Sequence, residues 1–172
     1  CDDSVQFGCQ AIDTNDYVDP VVINFINKSN ITIKSTNGPE NTIIDGVNNS
    51  YSGGLLCLDS NNIKIEGLSF VNCEPNSICA DFRYQADCDG AINIQNSNVE
   101  IKNCFIDHDN NNPQENNARG IFIDESDNVE IKDSFIKNSF IGVVSEDSNN
   151  VSIDNTIITQ NMGGITIEKN PV

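Results

Sequence analysis

Apolar and polar residues alternate along this chain in short bursts, and the bursts recur. Five segments align without gaps: Asn30-Ile-Thr-Ile33, Asn62-Ile-Lys-Ile65, Asn98-Val-Glu-Ile101, Asn128-Val-Glu-Ile131 and Asn150-Val-Ser-Ile153. Each runs Asn, apolar, polar, Ile, and this period of two predicts a strand with one buried face. A second strand is expected shortly after the last four anchors, at Leu68, Cys104, Ser134 and Thr156. A third follows a glycine, at Gly54, Gly90, Gly120, Gly142 and Gly164. Wherever another anchor follows, its distance from the glycine is constant: Gly54 to Asn62, Gly90 to Asn98, Gly120 to Asn128 and Gly142 to Asn150.

The spacing between anchors is not constant. The stretch from Asn62 to Asn98 is the longest and that from Asn128 to Asn150 the shortest, and even the shortest suffices for three strands and three turns. Such a unit cannot bury its inward side chains alone, and stacked copies share one continuous core. The expected inward columns are Ile31, Ile63, Val99, Val129 and Val151; Ile33, Ile65, Ile101, Ile131 and Ile153; and Ile44, Phe70, Ile106, Ile136 and Ile158. Leu68, Cys104, Ser134 and Thr156 also read as inward. Asn suits the left-handed backbone of a tight corner, and its amide can bond to the coils above and below. Lys64, Glu100 and Glu130 form one outward file, and Glu66, Lys102, Lys132 and Asp154 the next, which predicts cross-coil ion pairs. The reading is a cap segment over 1–21 and an all-β parallel β-helix over 22–172, of about five to six coils with three short strands per coil.

Composition narrows the function classes. A net charge of −17 argues against nucleic acid and against an anionic membrane surface. It suits extracellular solubility, or binding of a hard cation such as calcium. Seven cysteines point to an oxidising compartment and a secreted or cell-surface protein. Zinc spacing is absent, His108 is the sole histidine, and no apolar run is long enough to span a membrane. Glycosylation sequons occur at Asn27, Asn30, Asn48 and Asn150, in a chain rich in Asn.

The string NITIKSTNGPENTIIDGV from Asn30 to Val47 resembles the first coil of the pectin-lyase-like right-handed parallel β-helix superfamily. The strings starting at Asn62 (NIKIEGLSFVNC), Gly90 (GAINIQNSNVEIKNCFI) and Asn128 (NVEIKDSFIKN) are similar to its degenerate repeats, including those of chlamydial polymorphic outer-membrane proteins and methanogen adhesin-like proteins. The resemblance implies a right-handed solenoid over roughly residues 20–172 and leaves function open, because the superfamily holds lyases, hydrolases, adhesins and scaffolds. QAIDTND from Gln10 resembles the cap before the first coil, without the family's Pro-Gly-Thr-Tyr turn.

The hydrolases of that superfamily carry Gly-His-Gly and Arg-x-Lys beside clustered carboxylates, and neither string is present here. FIDHD at Phe105–Asp109 resembles the Trp-Ile-Asp-His string of pectate lyases, without its partner arginine string. The stretches from Leu68 to Gly90 and from Cys104 to Gly120 are each at least double the corresponding stretch from Ser134 to Gly142. Two insertions therefore leave the same corner of adjacent coils, and loops on a rigid scaffold are where binding concentrates. If the chain is an enzyme, Asp107, His108 and Arg119 are its candidates. Phe82, Arg83, Tyr84, His108 and Arg119 are the carbohydrate-binding candidates, and Asp87, Asp89, Asp107 and Asp109 the calcium candidates. No cofactor other than calcium is suggested.

Cys73 and Cys88 could bridge the base of the long insertion, Cys57 is read as projecting outward towards Cys79, and Cys1 and Cys9 could staple the cap. Cys104 is then the unpaired thiol, with Cys1, as a first residue open to lipidation, the competing choice. After Gly164-Ile-Thr-Ile-Glu168 comes only Lys169-Asn-Pro-Val172, with no capping helix. A longer parent solenoid, a tail folded over the end, or a stacked subunit would each cover it. The expectation is a non-catalytic extracellular structural or adhesive solenoid, a filament or coat subunit assembling end to end. The alternative is a module binding or cleaving an acidic polysaccharide.

Overall fold

The computed structural model describes residues 23–46, 53–73, 90–108 and 118–169. Sixteen strands wind through them as a right-handed parallel β-helix, the hand expected of parallel crossovers. Sheet A holds β1 (Ile23–Ile26), β4 (Leu55–Leu58), β7 (Gly90–Gln95), β10 (Arg119–Asp124), β13 (Ile141–Glu146) and β16 (Gly163–Glu168). Sheet B holds β2 (Ser29–Lys34), β5 (Asn61–Glu66), β8 (Val99–Lys102), β11 (Glu130–Lys132) and β14 (Ser152–Asp154). Sheet C holds β3 (Ile43–Asp45), β6 (Ser69–Val71), β9 (Phe105–Asp107), β12 (Phe135–Lys137) and β15 (Ile157–Thr159). Five full coils and a final strand result.

The register stacks like on like, because any one-residue slip would turn every inward side chain outward. Ile33, Ile65, Ile101, Ile131 and Ile153 are partners in sheet B, and Ile44, Phe70, Ile106, Ile136 and Ile158 in sheet C. Sheet A closes the core with Leu55, Ile92, Ile121 and Val143, and Ile165 continues that column on the last strand, where it is exposed.

The glycine column is read differently by the structure. Arg119 pairs with Gly90 and Ile121 with Ile92, so Gly120 stands over Ala91, as does Gly54. Leu55 and Ile92 are partners in sheet A, and Ile63 and Val99 are partners in sheet B, yet the path from Ile92 to Val99 is one position shorter than that from Leu55 to Ile63. The third coil therefore lacks one residue at the corner between sheets A and B. Asn30, Asn62, Asn128 and Asn150 all adopt left-handed backbone there, at φ of 59°, 53°, 58° and 51°, and Asn98 does not. At Gly120 close approach explains the residue: a Cβ would meet Gly142 O at 2.4 Å and Ile136 Cγ2 at 2.6 Å.

Cys57 is a second correction. It shares the inward parity of Leu55 and faces Ile94 in the core, with no exposed surface. The strand Leu55-Leu-Cys-Leu58 has no polar alternation to mark its faces, because Leu56, outward by parity, is buried as well.

Candidate functional site

The corner from sheet C to sheet A is the site expected from the insertions, and the structure places three of its residues. Asp107 ends β9 and is almost buried; its Oδ2 lies 2.8 Å from Lys137 Nζ, and its Oδ1 accepts a hydrogen bond from Asn138 Nδ2 at 2.7 Å. Lys137 sits opposite Asp107 in the ladder and also lies 5.4 Å from the centre of the Phe105 ring. His108 turns inward, only 2% exposed, with Nδ1 3.1 Å from Ser139 Oγ. Burial pushes its pKa down to about 4, opposed more weakly by the Cys73 backbone and the Asp107 carboxylate. The imidazole is thus neutral and enclosed at neutral pH, which suits a strut more than a proton carrier. Arg119 belongs to another set, with Nη2 3.8 Å from Glu146 and the guanidinium 4.5 Å above the Phe122 ring.

Phe82, Arg83, Tyr84, Asp87, Asp89 and Asp109 lie outside the described residues, as do Cys1, Cys9, Cys79, Cys88 and the sequon at Asn48. Among the described residues no group of three or more His, Cys, Asp or Glu side chains is placed to hold a metal ion. No disulfide forms among them either: Cys57, Cys73 and Cys104 are buried free thiols. Burial pushes Cys57 and Cys73 up to about 12, with Asp45 adding to the rise at Cys73, and Cys104 up to about 11. The partners expected for Cys57 and Cys73, Cys79 and Cys88, lie outside the described residues.

What organises the corners is a set of side-chain ladders that the alternation of apolar and polar residues does not announce. Ser60, Ser97, Ser126 and Ser148 stack at the corner from A to B. The backbone N–H groups of Ser60, Ser97 and Ser126 each donate to the Oγ of the next coil's serine, at 2.9, 3.1 and 3.0 Å. Each serine hydroxyl in turn donates to the carbonyl two positions before it, at 2.7 to 2.9 Å. Cys104, Ser134 and Thr156 repeat the arrangement between B and C. The serine two positions before Asn62, Asn128 and Asn150 is the signal that the sequence offers for it.

Asparagine amides brace the outside of the same corners. Asn62 Nδ2 donates to Asn30 Oδ1 at 2.8 Å, Asn96 to Asp59 at 2.7 Å and Asn155 to Asp133 at 2.7 Å. On sheet B the ion pairs are mixed. Lys34–Glu66 and Lys64–Glu100 bridge coils at 3.0 and 2.9 Å, whereas Glu130 pairs along its own strand with Lys132 at 2.6 Å. The cause is the register, which sets Glu130 beside Glu100 and Lys132 beside Lys102.

Comparison with protein-family models, with curated proteins and with solved structures finds no match.

Proposed function

We propose that this protein is a non-catalytic structural or adhesive solenoid of the cell exterior, associating end to end. One observation carries the reading. The exposed large apolar side chains among the described residues are Ile43 (58%), Ile157 (57%), Met162 (52%), Ile165 (51%) and Ile167 (70%), and all five sit on the first or last described turn. The described residues of the middle coils leave no such surface, as expected where each coil covers the next. Ile43 and Ile157 terminate one file of sheet C at opposite ends, and Lys34 and Asp154 terminate one file of sheet B. Head-to-tail stacking brings apolar to apolar and cation to anion. In sheet A, Ile23 and Phe25 are already buried, so sheets B and C carry the match.

The engagement of Asp107 by Lys137 and Asn138, and the burial of His108, support a non-catalytic role. Kinship with the pectin-lyase-like superfamily belongs to the same proposal, supported by the three parallel sheets. Sedimentation over a concentration series tests association. Wild type is expected to form end-to-end species, and Ile157→Lys to weaken them. A monodisperse monomer at millimolar concentration, or release of unsaturated product from polygalacturonate with calcium, overturns the reading.

A further inference from the structure

A shallow groove of about 300 Å³ runs parallel to the rod axis, between the corner from A to B and the outer face of sheet B. One wall is the asparagine column Asn62, Asn98, Asn128 and Asn150; the other is the outward file Lys64, Glu100, Glu130 and Ser152. It lies where the third coil is one residue short. Asn62 bonds to Asn30, and Asn150 to Asn128 at 3.3 Å, while among the described residues Asn98 joins neither pair.

The lining selects the ligand. Ile63 and Val99 in the floor are buried, so the groove offers no apolar anchor for a lipid or an apolar peptide side chain. The floor strands β5 and β8 are paired on both sides within sheet B, and the edge strand β14 borders only one end of the groove, so no strand edge runs along it for a peptide to extend. Lys64 neutralises Glu100 at 2.9 Å and Lys132 neutralises Glu130 at 2.6 Å, so the walls carry donors and acceptors with little net charge. Lys64 also holds the Glu100 carboxyl below its ordinary pKa, keeping that pair ionic. A chain of net charge −17 repels an acidic polymer on approach, and the lysines beside the groove, Lys64 and Lys132, are already engaged by Glu100 and Glu130.

We infer that this groove binds a linear, uncharged oligosaccharide lying along the rod. Amides repeating every ~4.8 Å from Asn62 to Asn150 give a track of about 14 Å, matched to hydroxyls presented along an extended chain. The site is independent of how the rod's ends are covered.

The test is a titration followed through backbone amide resonances, using neutral hexasaccharides (β-1,4-glucan, β-1,4-xylan, β-1,4-mannan and β-1,3-glucan) with hexagalacturonate as the acidic comparison. At least one neutral probe is expected to shift residues 98–100 and 128–130, and hexagalacturonate to leave them unmoved. Asn128→Gly retains the left-handed backbone but removes the amide; Glu100→Gln removes one wall charge. Each should weaken binding at least fivefold without altering thermal unfolding by more than a few degrees. Silence from every neutral probe at millimolar concentration overturns the inference, as does tighter binding of hexagalacturonate, or shifts confined to another face.

Discussion

His108 Nδ1 lies 3.1 Å from Ser139 Oγ across the interface between two coils, in a corner where both side chains are buried. Burial there holds histidine neutral in the fold, with a pKa of about 4 against an ordinary 6.5. Below pH 6.5 the unfolded chain takes up a proton that the folded chain refuses. This contribution to stability is therefore complete above pH 6.5 and is lost as pH falls towards 4. At ~1.4 kcal/mol per pH unit the loss is of order 3 kcal/mol. Urea unfolding at pH 7 and pH 4.5 should show it, and His108→Asn should flatten that part of the profile.

Glycines at one corner should respond oppositely to alanine. At Gly120 and Gly142 a Cβ would meet backbone or isoleucine atoms at between 2.4 and 2.8 Å, whereas at Gly164 nothing lies within 4 Å. Gly120→Ala and Gly142→Ala are expected to cost ~1–3 kcal/mol each by overpacking, and Gly164→Ala to be neutral or slightly stabilising. Chemical denaturation of the three variants checks the contrast.

Removing one rung of the serine ladder should strand a buried donor. Ser126→Ala leaves the Ser97 N–H without its 3.1 Å acceptor, at an expected cost of ~1–3 kcal/mol. Ser126→Thr retains the hydroxyl and should recover most of that loss in the same denaturation experiment, which separates the hydrogen bond from simple packing.

The three core thiols should be silent in the folded protein. With pKa values of about 11 to 12, Cys57, Cys73 and Cys104 carry almost no thiolate at pH 8. Peptide mapping after iodoacetamide treatment should find them unlabelled in buffer and labelled in urea.

The solenoid is legible because Ile33, Ile65, Ile101, Ile131 and Ile153 recur in strict alternation with polar residues, and parity then fixes which side is inside. Parity fails in sheet A, where Leu56, Phe122 and Val144 are buried on the outer face, so the pattern alone puts Cys57 on the wrong side. Gly90 aligns with Gly120 in the sequence because both are glycines, but the register is set by Ile92 stacking on Ile121, which puts Ala91 in that column. At the expected site, the sequence shows Asp107 and His108 side by side and says nothing of Lys137, Asn138 and Ser139, which reach them from the next coil. The groove on sheet B escapes for a similar reason. It passes the corner where the third coil lacks a residue, and the match of Gly90 with Gly120 hides that deletion.

Because the chain climbs the rod from one end to the other, force applied through its termini unspools the coils in turn. The repeats bounded by Asn30, Asn62, Asn98, Asn128 and Asn150 are unequal, the last of them the shortest. Stretched at about 3.5 Å per residue, they pay out roughly 110, 125, 105 and 75 Å. In single-molecule extension the order of those lengths reads the direction of peeling: a short first release marks failure from the C-terminal end, and a long one from the N-terminal end.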